Sequence, residues 1–199
     1  MLKVLSRRVV PRTSARGSAV VRRRRDIKYH AREGVVFYDG TSGRRRLHEA
    51  QVRWAGKRFV LIASAFNPAI TRALIDGARG VLAREGISPQ QIRVLWVPGA
   101  FELPVTAACA ASSRPRPEAV IALGALIRGE TPQYEVIAHA VAQGLSQVAL
   151  SARIPVTFGV IVAKTLAQAK ARAGGSMGNR GAEAARAALD LLRLFKTLA

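Results

Sequence analysis

The chain has 199 residues, enough for one domain of ordinary size with an additional segment, and 49% of them are hydrophobic, which excludes a wholly disordered chain. Its one cysteine, Cys109, excludes an intrachain disulfide and is typical of a reducing compartment, so a cytoplasmic location is expected. No apolar run approaches the roughly 18 to 20 residues that a membrane-spanning helix needs, and we expect no membrane partner.

The net charge of +20 is concentrated at the amino end of the chain. Residues 1–58 contain 17 of the 32 Lys and Arg residues and 4 of the 12 acidic residues, a net charge of +13. Such a segment can be a solvated tail, an arm that binds anions such as nucleic acid, or an organellar targeting peptide, since no acid precedes Asp26. We predict a basic, flexible extension at 1–46 and a folded domain at 47–199.

From about residue 58 onward, apolar segments of strand length alternate with segments of helical length. Strands are predicted at 58–64, 91–97, 119–124 and 155–162, and helices at 68–85, 101–112, 131–152, 165–173 and 179–198. Asn67 is the predicted N-cap of the first helix and Pro68 its first residue. The alternation predicts βαβ units, and hence a flavodoxin-like three-layer α/β/α sandwich with a four-stranded parallel core sheet.

Ligands of such sheets bind at the carboxyl ends of the strands, so the loops that follow the strands are the candidate site. The first loop contains Phe66 and Asn67, the second spans 98–102 and the third spans 128–133. Glu102, in the second loop, is either an acceptor for a polyol or ring N–H, or an acid that complements a helix dipole. Glu130 and Thr131 are predicted to open the long helix, whose backbone N–H groups would form an anion site.

The segment 172–181 has a run of small residues between Arg172 and Arg180. It can be a phosphate- or carboxylate-binding loop, because arginine binds these groups in a bidentate manner and glycine allows close backbone approach, or it can be an ordinary flexible turn between helices. Elsewhere, we predict that Cys109 is a buried small residue, that Trp96 packs in the core, and that Trp54 packs against a neighbouring subunit.

Five motifs in register carry a family resemblance. They are Phe66-Asn67, VPGAFELP (97–104), GALIRGETP (124–132), FGV (158–160) and RAGGSMGNRGAEAA (172–185). Together they resemble the 6,7-dimethyl-8-ribityllumazine synthase family of riboflavin biosynthesis over about residues 47–197. The resemblance implies condensation of 5-amino-6-(D-ribitylamino)uracil with 3,4-dihydroxy-2-butanone 4-phosphate, without metal or cofactor. It also implies pentamers, in many members sixty-subunit shells, active sites between neighbouring subunits, and an amino-terminal strand, here 47–53, that adds to the neighbour's sheet.

The resemblance also implies roles for individual residues. Those implied to bind the pyrimidine ring and ribityl chain are Phe66, Asn67, Gly99, Ala100, Phe101, Glu102, Ala125, Leu126, Ile127, Phe158, Arg180 and Glu183. Phe66 would stack on the ring, and Phe158 would cover it from the adjacent subunit. The phosphate would be bound by Glu130, Thr131 and Arg172, and Gln133 stands at the position of the family's proton-transfer histidine.

Gln133 is the main departure from the family pattern, since glutamine cannot exchange a proton near neutral pH. His139 is a poor substitute because six residues along a helix correspond to a rotation of about 240°. Lys164, Val162 and Ala65 also depart from the usual residues. We expect a working but slower enzyme. The rival hypotheses are a non-catalytic shell-forming or flavin-binding relative, and an assembly whose basic arm recruits nucleic acid.

Overall fold

The computed structural model describes residues 53–198 of the chain. The predicted extension 1–46, the domain boundary at residue 47 and all but Arg53 of the predicted strand 47–53 lie outside these residues. The strands are β1 (Phe59–Ser64), β2 (Ile92–Val97), β3 (Ala119–Ile127), β4 (Val156–Ala163), β5 (Ala173–Gly175) and β6 (Gly178–Asn179). The helices are α1 (Pro68–Arg84), α2 (Leu103–Ala111), α3 (Gln133–Ala152), α4 (Leu166–Arg172) and α5 (Arg180–Thr197), with a short 3-10 turn at Pro89–Gln91. No helix within 53–198 combines the length and apolar character needed to cross a bilayer.

The first four strands form one parallel sheet in the order β2-β1-β3-β4. All six residues of β1 are buried, as expected for a strand that lies between two neighbours and is covered on both faces. The chain passes from β1 to β2 on one side of β1 and then crosses to β3 on the other side. The carboxyl ends of β1 and β3 therefore form the topological switch point where such folds bind ligands. The predicted flavodoxin-like α/β fold with a four-stranded parallel sheet is confirmed.

Helices cover both faces of the sheet and bury two apolar clusters. Leu61 and Ile121 face the layer that contains α1, α4 and α5, whereas Ile62 and Ala122 face α2 and α3. The α1 and α5 helices approach so closely that a Cβ atom on Gly181 would lie only 2.1 Å from the Leu74 carbonyl oxygen. This position therefore requires glycine.

The observed element boundaries differ from the predicted ones where tertiary contacts decide them. β3 extends to Ile127 rather than ending at residue 124, because it pairs with β4 as far as Ile127 and Ala163. The α3 helix begins at Gln133, with Pro132 at its N-cap, so the prediction that Glu130 and Thr131 open this helix is wrong. Similarly, α2 begins at Leu103 rather than at residue 101.

Three predictions about single side chains are wrong. Trp96 is 47% exposed because β2 is an edge strand, and Cys109 lies on an exposed position of α2. Trp54 is buried within its own chain, where its ring makes an edge contact with Phe59 at a centroid distance of 5.7 Å. These positions depend on strand order and on helix packing, neither of which is encoded in a local hydrophobic run.

Candidate functional site

The loop after β1 presents an aromatic ring at the switch point. Phe66 is 70% exposed. The loop backbone is bonded to β2 through Ala65 N–H and the Val97 carbonyl (2.8 Å). Asn67 has left-handed backbone angles (φ 57°, ψ 56°), and its side-chain amide donates to the Ala125 carbonyl of β3 at 3.3 Å. Asn67 thus occupies the predicted N-cap position of α1, but its side chain joins the loop after β1 to β3 and does not cap the helix.

Two substitutions of Asn67 separate its backbone role from its hydrogen bond. Asn67→Gly removes the bridge to Ala125 but tolerates the left-handed conformation, whereas Asn67→Ala loses both. We expect Asn67→Ala to lower the free energy of unfolding by about 1 kcal/mol more than Asn67→Gly does. Denaturant unfolding at one chain concentration measures this difference, and equal losses would contradict the assigned backbone strain.

The loop after β2 is closed by Glu102. Its carboxylate accepts a hydrogen bond from the Gly99 N–H (2.8 Å), and a Cβ atom at residue 99 would lie 3.0 Å from the same oxygen. The side chain makes no bond to the first amides of α2, so within the described chain the carboxylate shapes its own loop rather than capping the helix. Beside it, Ala100 is buried and Phe101 is 62% exposed. The second carboxylate oxygen remains able to accept from a ligand.

The loop after β3 passes from the core to the surface. Ala125 and Leu126 are buried and Ile127 is half-buried, whereas residues 128–133, including Glu130, Thr131 and Gln133, are exposed. The first amides of a helix have no partner within the helix, and here they begin at Gln133 rather than at Thr131. The unpaired amides at the start of this helix therefore lie two residues later than predicted, and their binding of an anion stays a prediction.

The side chain that follows Gln133 is also polar. Tyr134 donates its hydroxyl hydrogen to the Glu135 carboxylate at 2.6 Å. This hydrogen bond raises the pKa of Tyr134, and the charge of Glu135 acts in the same direction, so the phenol stays protonated at neutral pH. Tyr134 therefore does not replace a histidine as a proton carrier near pH 7. His139 is exposed on the same helix, six residues from Gln133.

Arg172, Arg180 and Glu183 form one cluster on the α4–α5 side of the sheet. One oxygen of the Glu183 carboxylate lies 3.0 Å from the guanidinium of Arg172 and 3.0 Å from that of Arg180. Arg172 also donates to the Met177 carbonyl at 2.9 Å. All three side chains are about one-third exposed or more, so the cluster is accessible and carries an excess of one positive charge. The sequence contained no local signal for the role of Met177.

The glycine-rich segment between these arginines is ordered. It forms the antiparallel ribbon of β5 and β6, which pairs Ala173 with Asn179 and includes Gly174 and Gly178 at φ 111° and 81°. Asn179 ties the ribbon to α1 by donating to the Ala73 carbonyl (2.8 Å), and its side-chain oxygen caps α5. The segment between α4 and α5 is thus a paired ribbon that is bonded to α1, and its binding of a phosphate or carboxylate stays a prediction.

Apart from Phe158, the predicted site residues fall into two separate groups within one chain. Group one occupies the loops after β1, β2 and β3, and group two is the Arg172–Arg180–Glu183 cluster. Among the described residues, no hydrogen bond or ion pair joins the groups. Phe158 belongs to neither, since it lies midway along β4, opposite Ala122, and packs half-buried on the α2–α3 side. No cluster of three or more His, Cys, Asp or Glu residues within 53–198 could hold a metal ion.

Comparison with known proteins decides the family. Residues 56–196 match the family model described as 6,7-dimethyl-8-ribityllumazine synthase. The chain belongs to this family. It is 48% identical over 143 residues to the 6,7-dimethyl-8-ribityllumazine synthase of Gemmatimonas aurantiaca, which covers 72% of this chain and 87% of the relative. It is 44% identical over 143 residues to the protein of the same name from Thermus thermophilus, covering 72% and 90%. The family resemblance predicted from the motifs is confirmed, whereas the roles of individual residues stay predictions.

Proposed function

We propose that the protein is a transferase that condenses 5-amino-6-(D-ribitylamino)uracil with 3,4-dihydroxy-2-butanone 4-phosphate to give 6,7-dimethyl-8-ribityllumazine, phosphate and water. The observation that carries this proposal is the family match across residues 56–196. The exposed Phe66 ring at the switch point and the partly exposed Arg172 and Arg180 add support, because the substrates are a planar pyrimidine and a phosphate ester.

The proposed chemistry assigns a task to each group. The amine adds to the ketone and water leaves to form an imine, and the phosphate is then eliminated to leave a second carbonyl after tautomerisation. The ribityl-bearing nitrogen adds to this carbonyl, and loss of a second water closes the ring of the product. Phe66 stacks on the pyrimidine, while the free oxygen of Glu102 accepts from ribityl hydroxyls. Arg172 and the first amides of α3, at Gln133 and Tyr134, bind the departing phosphate, whose negative charge suits a guanidinium and a helix N-terminus.

The site is proposed to be completed between neighbouring copies of the chain. This proposal is supported by the separation of the two groups of site residues, because the Arg172–Arg180–Glu183 cluster makes no polar contact with the loops after β1, β2 and β3 of its own chain. The long α3 helix also has only Val141 and Leu145 buried, and it leaves Val136 66% and Leu150 79% exposed. A homopentamer, or a shell of sixty subunits, would cover such a surface, and light scattering coupled to size-exclusion chromatography measures the assembled mass.

The rate expected for lumazine formation depends on Gln133. A general acid or base is typically worth about 10² to 10⁴ in rate, and Gln133 cannot supply it. The amine and ketone react readily once they are positioned, so positioning by the surrounding loops is proposed to carry the catalysis. We therefore propose an enzyme that is active but slower than one with a histidine at this position.

The substitution Gln133→His tests both the activity and this explanation. We expect about a tenfold rise in kcat and a new pH dependence near the histidine pKa, because an imidazole can exchange a proton near neutral pH. Lumazine absorbance after mixing both substrates measures the rate. The matched control is Gln143→His, at an exposed position of the same helix. A wild-type rate no faster than the spontaneous reaction would favour a non-catalytic relative instead.

Two further expectations stay predictions. Nucleic-acid binding by the basic segment 1–46 would be supported by copurified nucleic acid that survives about 0.5 M salt, since generic charge attraction weakens steeply with ionic strength. The cytoplasmic location, with an organellar one as its alternative, requires localisation of the tagged protein in its own cells.

A further inference from the structure

A cavity of about 350 Å³ lies at the end of the sheet opposite the candidate site. It is formed by the loops that enter β1, β3 and β4 and by the last turns of α5. The six residues of β1 separate the two ends of the sheet by about 20 Å, at roughly 3.3 Å per residue. The volume falls in the lower part of the range of small-molecule pockets.

The floor of this amino-end cavity is apolar and aromatic. It includes Trp54 and Leu192, which are buried, and Phe195, which is 39% exposed. Ile154 and Pro155 continue the apolar lining. The Trp54 ring also packs against the Phe59 ring in an edge contact. The floor is therefore apolar, and Phe195 offers most of the exposed aromatic surface to an apolar or aromatic body.

The rim of the cavity is positively charged. Among residues 53–198, it contains Lys57, Arg116, Arg153 and Lys196 and a single carboxylate, that of Glu118. Lys57 lies 2.7 Å from Glu118, so this pair is neutral as a whole. Three cations therefore remain in excess around an apolar floor.

The three remaining cations differ in how they are held. Arg116 donates to the Ala152 carbonyl at the end of α3, which offsets the partial negative charge of that helix terminus. Lys196 lies 5.9 Å from the centroid of the Trp54 ring. Arg153 is exposed at the C-cap of α3, where its backbone adopts the left-handed conformation (φ 54°). Arg153 and Lys196 are thus placed at the rim with donors that a ligand can use.

We propose that the amino-end cavity binds a small organic anion in which a phosphate, sulfonate or carboxylate group is attached to an aromatic or apolar body. The body packs against Trp54, Leu192 and Phe195, and the anionic group is bound by Arg153 and Lys196. A cationic ligand would meet excess positive charge, and a neutral one would leave the rim unused. This site is independent of the proposed reaction at the other end of the sheet.

Calorimetric titration of the full chain with 1-naphthyl phosphate tests the proposal, with inorganic phosphate and 1-naphthol as comparison ligands. We expect saturable binding at one molecule per chain, and at least tenfold weaker binding of both comparison ligands, because each offers only half of the recognised chemistry. Equal binding of inorganic phosphate would overturn the proposal, as would the absence of saturable binding.

Variants locate the binding. Arg153→Asn keeps a residue that tolerates the left-handed backbone and removes the charge, and Lys196→Gln removes the second charge. We expect each to weaken binding about tenfold, with unchanged melting temperature and lumazine-forming rate. Arg172→Gln and the exposed Arg79→Gln on α1 are the controls and should leave the affinity unchanged. The assignment would be overturned if Arg172→Gln weakened binding, or if Arg153→Asn and Lys196→Gln left the affinity unchanged.

Discussion

Replacement of Arg172 by glutamine is expected to lower kcat/KM for the butanone phosphate about a hundredfold. A charge-assisted hydrogen bond is worth about 1.5 to 3 kcal/mol, and about 1.4 kcal/mol corresponds to a factor of ten. Arg172 is already oriented by Glu183 and by the Met177 carbonyl, so its remaining donors need no further ordering before they bind a phosphate. Steady-state kinetics of lumazine formation at varied butanone phosphate concentration measures the loss.

The matched control is Lys170→Gln, which removes a positive charge from an exposed position of the same short helix. We expect it to change kcat/KM less than twofold, because screened surface charges contribute little at physiological salt. A loss of similar size in both variants would mean that Arg172 acts only through the general positive field. In that case the phosphate site must be sought elsewhere.

The substitution Gly181→Ala is expected to lower the free energy of unfolding by about 3 kcal/mol, because overpacking at a rigid contact is costly. Its Cβ atom would lie 2.1 Å from the carbonyl oxygen of Leu74, and a backbone atom cannot move aside as a flexible side chain can. The first turn of α5 must therefore shift away from α1. Thermal unfolding at fixed chain concentration should show a fall in Tm of about 10 °C.

Gly80→Ala is the control for Gly181→Ala. Gly80 lies inside α1, and the nearest atom to its added Cβ would be the Arg84 guanidinium at an ordinary 3.7 Å. Alanine is the better helix former, so this variant should gain about 0.5 to 1 kcal/mol. The two glycine substitutions thus have opposite expected signs, and equal effects would contradict the close approach of α1 to α5.

The sequence by itself determined the alternation of strands and helices and the loops that carry the candidate site. Both depend on local information, namely the period of apolar residues and the identity of residues at the ends of elements. The motif at 172–185 likewise indicated Arg172 and Arg180 as candidate site residues; the structure shows that both contact Glu183, and their roles stay predictions.

Only the tertiary structure decided how those elements meet. The strand order placed Trp96 on an exposed edge, and the pairing of β3 with β4 extended β3 to Ile127. The bond from Asn67 to Ala125 joins residues far apart in sequence, so no local pattern could predict it. The amino-end cavity arises in the same way, because Trp54, Arg153 and Lys196 come together only when three distant segments pack at one end of the sheet.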